Sequence, residues 1–398
     1  MDTNTSKANL QLILTGNTIN FIGIGFQGIA ISWALLQLTG SPLTIGIMLF
    51  IRALPAILLV TLAGSLVDKV NRKLISLLSI FVQGVTMLIF AMMVLFWPVD
   101  FNLMILYLIS LLTAVANTFY YPSSKSLIQE FTSKKNLLKA NAKIESLSQV
   151  GMIIGTAIGG IVVTIFDPKG YIFINGVIYL LSALCFAALR YQTRENKNKI
   201  EKNPKLKTGG GFSYIKQERA LFVCVLFLAV PSLVVQTNNV LIGAFTYIEL
   251  GLNARHYSYI NLSYGIGASL GGFILLKLNK DKIPDVRIIF IGLVCIGLFE
   301  IVFGFNKQIL IAVISMFIVG FAISLSRSLL MSLVMKKTES NIAGRVHSIV
   351  NLFNSIIMLF AGLTLGLLAE LTQFSVVFSL IGITVILIAI LGTRYLKQ

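Results

Sequence analysis

The sequence predicts an all-α membrane protein, with twelve transmembrane helices in two pseudo-symmetric six-helix bundles. Three observations predict it. Of the 398 residues 56% are apolar and only 12% are charged, about half the charged share of a globular domain. A single soluble core of that composition would leave large apolar patches in water. Crossing a bilayer as a helix takes about 20 apolar residues, and runs of that length recur from end to end. Lys and Arg then gather in every second connection, which is how a multi-pass chain marks its cytoplasmic side.

The apolar runs fall, in order, at 10–38, 43–66, 74–96, 101–122, 143–166 and 171–189, then at 220–245, 257–276, 288–305, 308–330, 346–368 and 374–393. Span one follows a short polar N-terminus with no small-residue cleavage site, so it reads as retained and not as a signal peptide. Span two ends in a charged loop from which span three departs after Lys73, and span four runs to Pro122. Span five carries a string of glycines, and span six ends at Arg190. The stretch Arg190–Arg219 then holds nine basic residues, Pro204 and Gly209–Gly211, the composition of a flexible linker. It divides the chain into an N-terminal bundle (1–190), a cytoplasmic linker (191–219) and a C-terminal bundle (220–398). Arg255 and Lys277 flank span eight, Arg287 and Lys307 flank span nine, and span ten leads into Lys336–Lys337. Span eleven starts after Arg345, and span twelve closes before Arg394.

With both termini cytoplasmic, 28 of the 32 Lys and Arg fall on the inner side. Only Lys169, Arg255 and Lys307 fall outside, and Arg52 lies within a span. The net charge of +17 is therefore topology charge, in contact with lipid headgroups and solvent. The basic clusters lack interleaved aromatics, which argues against a nucleic-acid partner. The expected setting is a bacterial cytoplasmic membrane, multi-pass, with the chain a monomer. Cys185, Cys224 and Cys295 stand singly in apolar runs and His256 and His347 stand alone, so neither a disulfide framework nor a metal site is expected. No cofactor is implied.

An internal repeat supports the two halves. Lys125-Ser126-Leu127-Ile128 leads to Lys134-Lys135, and Arg327-Ser328-Leu329-Leu330 leads to Lys336-Lys337, every match offset by 202 residues. Parallel six-span repeats of this kind belong to one transporter architecture.

The loop after span two reads Gly64-Ser65-Leu66-Val67-Asp68-Lys69-Val70-Asn71-Arg72-Lys73. It resembles the G-x-L-a-D-r-x-x-r-k signature of the major facilitator superfamily, in the cytoplasmic loop where that family carries it. The resemblance implies a conformational latch of Gly64, Asp68, Arg72 and Arg345: Gly64 for close helix approach, Asp68 facing a helix N-terminus or a cation, Arg72 and Lys73 holding the loop at the headgroups. Pro122, Leu137-Leu138-Lys139-Ala140-Asn141-Ala142, Gly151-x3-Gly155-Thr156-x2-Gly159-Gly160 and Gly344-Arg345-Val346 narrow it. Together they are similar to the macrolide-efflux and enterobactin-exporter branch, over essentially the whole chain. The span-five string departs from the antiporter motif of exporters in having Thr156 for proline. Span four has no mid-membrane arginine and span one no acid, so the coupling mechanism of the proton-linked drug exporters does not simply carry over.

A charge inside a span costs at least ~2.5–3.5 kcal/mol and is a functional candidate by default. Arg52, near mid-membrane in span two, is expected to hold an anionic group of the substrate in its guanidinium fork; the competing use is a structural helix-to-helix pair. Glu300, in the outer part of span nine among apolar neighbours, is the expected proton carrier, with Glu145 as competitor. Arg327 lies toward the inner end of span ten. Polar and aromatic residues join them as a substrate path: Asn20 and Gln27 of span one, Asn117 and Tyr121 of span four, Gln236 and Asn239 of span seven, Tyr264 of span eight and Asn354 of span eleven. In the family, spans one, four, seven and ten line the central cavity. A lone Asn in a span more often serves as interhelical glue.

The chain has no G-x4-G-K-[ST] motif and no clustered His, Cys or paired acids, so neither ATP coupling nor an enzyme is expected. The expected function is ion-gradient-driven export, by alternating access and coupled to protons, of a small polar or carboxylate-bearing molecule such as a metallophore. The alternatives are a macrolide or multidrug efflux pump and, from another class, a non-transporting membrane sensor or lipid scramblase.

Overall fold

The structure, a computed structural model, describes residues 3–96, 102–132, 137–190, 219–277, 286–338 and 343–396. The regular structure in these residues is helical. The first half comprises α1 (Thr3–Thr39), α2 (Pro42–Leu58), α3 (Val60–Lys69), α4 (Arg72–Phe96), α5 (Leu103–Phe131), α6 (Leu137–Ile165) and α7 (Pro168–Ala187). The second comprises α8 (Arg219–Ala244), extended by a π turn over Phe245–Glu249, then α9 (Ala254–Lys277), α10 (Val286–Phe305), α11 (Ile309–Lys337), α12 (Ala343–Leu371) and α13 (Phe374–Leu396).

Ten of the described helices are each long and apolar enough to cross a membrane. Span two, expected as one rod, is the pair α2 and α3, bent by 55°. The break falls at Leu59, where φ −104° and ψ 1° leave the helical region, with Pro55 one turn earlier. Span eight is α9, whose 24 residues reach about 36 Å at 1.5 Å per residue, although Tyr, Asn, Ser and Gly dilute its hydropathy. Twelve spans result. The expected linker at 191–219 lies, but for Arg219, outside the described residues.

The chain divides into two compact units, Met1–Arg194 with Leu252–Ser258, and Glu195–Gly251 with Tyr259–Gln398. The start of α9 thus groups with the first unit, where Ser258 Oγ donates to the Thr156 carbonyl (3.1 Å) and Tyr257 stacks on Trp33.

Within the first unit, α1 packs along α6 and α7, and α4 along α5 and α7. The glycine string makes the α1–α6 contact. A Cβ at Gly155 would overlap the Ile22 carbonyl, and one at Gly159 would lie 3.2 Å from Phe26 Cα. Small residues let backbones touch where apolar burial gives no drive, since lipid tails are as apolar as leucine. The ends of α7 are held by side chains. Asp167 Oδ1 accepts from the Gly170 amide (2.9 Å) with Pro168 in the first turn, an N-cap with pre-set φ. Lys73 Nζ donates to the Ala187 (2.9 Å) and Leu189 (2.8 Å) carbonyls at the other end, which otherwise lack partners.

In the second unit, α10 packs on α11 and α13, and α8 on α12. Phe245, Phe303 and Phe378 meet there, with centroids 4.8 Å (Phe245–Phe303) and 5.0 Å (Phe303–Phe378) apart. Aromatic pairs in these geometries add to plain burial.

Candidate functional site

Two polar networks run through the apolar interior of the first unit. Asn17 Nδ2 donates to Ser148 Oγ (2.7 Å), and Asn17 Oδ1 accepts from Tyr120 Oη (2.9 Å). Gln27 Nε2 donates to Thr113 Oγ1 (2.9 Å), and its Oε1 accepts from Tyr179 Oη (2.8 Å). These bonds tie α1 to α5, α6 and α7. Asn20, between them on α1, is fully buried, and its amide lies beside the Tyr120 hydroxyl without completing a well-formed hydrogen bond. The spacing of Asn17, Asn20 and Gln27 on one helical face is legible in the sequence. Their partners Thr113, Ser148 and Tyr179 are not, because a single hydroxyl in an apolar run gives no periodic signal.

Arg52 lies on α2, half-buried, and makes no hydrogen bond or ion pair among the described residues. The Tyr179 hydroxyl is within its electrostatic reach. Asn117 is half-buried on α5. Tyr121 is exposed, with Lys125 Nζ 4.4 Å from its ring centroid. Glu145 is exposed near the start of α6, so the two candidate proton carriers have opposite environments.

Glu300 sits on α10 with no exposed surface. Phe303, one turn further on, joins the Phe245–Phe378 cluster. Asn238 Nδ2 donates to Glu300 Oε1 (2.9 Å). Glu300 Oε2 and Asn238 Oδ1 have no partner among the described residues. Two acceptors are thus left over on one bonded pair, and a proton on the carboxyl would supply a donor there. Among the span-seven amides, the expected site residues Gln236 and Asn239 bond each other (Asn239 Nδ2 to Gln236 Oε1, 3.1 Å), while Asn238 is the one that meets the acid. Tyr264 of α9 is within electrostatic reach of both Glu300 and Arg327. Arg327 itself is exposed. Asn354 Oδ1 accepts from Ser232 Oγ (2.6 Å), joining α12 to α8.

The expected latch residues divide. Arg72 pairs with Glu130 of α5, and Lys73 caps α7. Among the described residues, nothing lies within 4 Å of a Cβ at Gly64. The side chains of Asp68 and Arg345 lie outside the described residues.

The model of the Major Facilitator Superfamily matches residues 13–362. An uncharacterized MFS-type transporter of Bacillus subtilis, YfmI, is 24% identical over 310 residues, 74% of either chain. Macrolide efflux protein A of Streptococcus pyogenes is 22% identical over 395 residues, 97% of this chain and 96% of its own. Among solved structures, the nucleoside transporter NupG superposes with a TM-score of 0.78 over 98% of this chain and 99% of its own, at 14% identity. A bacterial homolog of the human lysosomal transporter Spinster superposes at 0.72 over 98% of this chain and 95% of its own, at 13% identity. At such identities the superpositions speak for the fold alone. Twelve spans, an internal repeat, the charged loop after span two and a family match over most of the chain converge: this multi-pass membrane protein is a transporter belonging to the Major Facilitator Superfamily.

Proposed function

We propose that the chain is a proton-coupled exporter of a small carboxylate-bearing molecule, working by alternating access in the cytoplasmic membrane with both termini inside. The observation that carries the substrate class is Arg52. An arginine deep in a span cannot face lipid without a large cost, and here it has no carboxylate among the described residues to spend its fork on. A substrate carboxylate fits that fork bidentately. Metallophores such as staphylopine are small molecules of this class. Asn20, buried on α1, and Asn117 and Tyr121 on the neighbouring α5 are the polar groups proposed to accompany it. Gln236, Asn239, Tyr264, Arg327 and Asn354 are proposed for the second half. Glu300 is the proposed proton carrier, since it is buried with one oxygen unpartnered, whereas Glu145 is open to its surroundings.

Export as the direction is supported by the efflux relatives. Macrolide efflux protein A, similar along nearly the whole chain, also favours a second reading, a macrolide or multidrug pump. Inverted vesicles separate the two. A labelled tricarboxylate metallophore accumulating with an imposed pH gradient, and not without it, supports the proposal. Accumulation of erythromycin with no response to the metallophore supports the second reading. No gradient-driven accumulation of either refutes coupled export and leaves the sensor or scramblase class.

A further inference from the structure

Gln27, expected on the substrate path, spends both ends of its amide inside the first unit, and its neighbours fix the direction of each bond. Thr113 Oγ1 gives its one proton to the Ile109 carbonyl (2.8 Å), with the Ser110 carbonyl at 3.2 Å. Toward α1 it can then only accept, so the Gln27 group that meets it at 2.9 Å is the Nε2 donor. Gln27 Oε1 is left to face α7, where it accepts the Tyr179 hydroxyl proton at 2.8 Å. The order of donors runs one way, from Tyr179 through Gln27 and Thr113 to the α5 backbone.

The ring of Tyr179 is held as well. A Cβ at Gly23 would stand 2.8 Å from Tyr179 Cε1, so this glycine, one turn before Gln27 on α1, forms the slot in which the ring lies. Tyr179, Gln27 and Thr113 are all buried, Tyr179 with no exposed surface. The hydroxyl cannot turn its proton elsewhere without giving up its bond to Gln27. What it keeps is acceptor capacity, and the Arg52 guanidinium of α2, a donor, lies within electrostatic reach. A carboxylate in that place would neutralise the guanidinium. A phenol oxygen can orient the fork and leave its charge to a ligand.

The geometry points to Tyr179 as a positioning residue for substrate binding: locked by Gln27 and Gly23, its oxygen aims the Arg52 guanidinium without neutralising it, a role that rests on the reading of Arg52 as the site of the substrate carboxylate. Gln27 belongs to the frame behind the site, since neither end of its amide is left for a ligand.

The test follows Arg52 itself. Full-length protein in nanodiscs is treated with phenylglyoxal, which modifies arginine, and the Arg52 peptide is quantified by mass spectrometry over a series of concentrations of a tricarboxylate metallophore. The metallophore should protect Arg52 in the parent. Half-protection should take about tenfold more of it in Tyr179→Phe, the effect of losing one hydrogen bond to a charged group. Gln27→Leu, which unlocks the hydroxyl without removing it, should shift half-protection in the same direction. The double variant should shift it no further than Tyr179→Phe alone, because both changes act through one oxygen. Modification of Arg72, paired with Glu130 on α5, should be equal in all of them and so report an intact fold. Uptake into inverted vesicles should show KM raised with turnover at saturation near parental. If Tyr179→Phe lowers yield by stranding Gln27 Oε1, the double variant, which lacks that oxygen, gives the same reading. Parental half-protection in Tyr179→Phe, or additive losses in the double variant, would overturn the positioning role while leaving Arg52 as the carboxylate site. No protection of Arg52 in the parent would overturn the carboxylate site itself, and the role of Tyr179 with it.

Discussion

The Asn238–Glu300 pair allows a perturbation whose sign and size follow from its atoms. In Glu300→Gln the new side chain keeps an oxygen to accept from Asn238 Nδ2 (2.9 Å in the parent) and adds an Nε2 donor where Glu300 Oε2 and Asn238 Oδ1 both lack one. One further hydrogen bond contributes about 0.5–1.5 kcal/mol, so this variant should be at least as stable as the parent. Asn238→Leu keeps the bulk but strands a fully buried carboxyl, at about 1–3 kcal/mol or more if it is charged. Replacing both partners, as Asn238→Leu/Glu300→Leu, removes the stranded group, and stability should return most of the way. Thermal unfolding of the purified proteins reads this cycle. Uptake into inverted vesicles reads the function: Glu300→Gln should lose accumulation driven by a pH gradient while retaining exchange of substrate at equilibrium, since it cannot release a proton. Two results would refute the reasoning. One is a double variant as unstable as Asn238→Leu; the other is Glu300→Gln accumulating substrate at the parental rate and with the parental response to the gradient.

Three further outcomes are expected. Transport of a carboxylate substrate should fall in graded order from parent through Arg52→Lys to Arg52→Gln, with yield unchanged; parallel loss of yield and transport in both variants would identify a structural pair instead. Gly155→Leu should collapse yield in the membrane, because a side chain there meets the Ile22 backbone and overpacking of this kind costs about 1–3 kcal/mol or more, whereas Gly64→Ala, with no atom of the described residues within 4 Å of the new Cβ, should express normally; western blots of membranes compare them. Asp68→Asn should lower turnover with substrate affinity nearly intact, as measured by parallel transport and binding assays, and a large affinity loss at parental turnover would contradict the latch.

Much of the architecture is legible in the residues because a bilayer imposes local rules. Length and hydropathy mark a span wherever about 20 apolar residues run together, and the Lys and Arg count gives an expectation for the side of each loop. The linker composition, the 202-residue repeat and the sparse intramembrane charges Arg52 and Glu300 are equally local, which is why the family and the candidate residues could be read without coordinates. What tertiary structure decided is which face of each span meets protein. Asn17 and Gln27 bond α5, α6 and α7; Asn238, and neither Gln236 nor Asn239, meets Glu300; Gly155 lets α6 touch the α1 backbone; Lys73 caps α7; and span two breaks at Leu59. In water a helix shows its buried face by an apolar stripe opposite a polar one. In lipid both faces are apolar, so the pattern along the chain carries no such stripe, and only the packed bundle selects the partners.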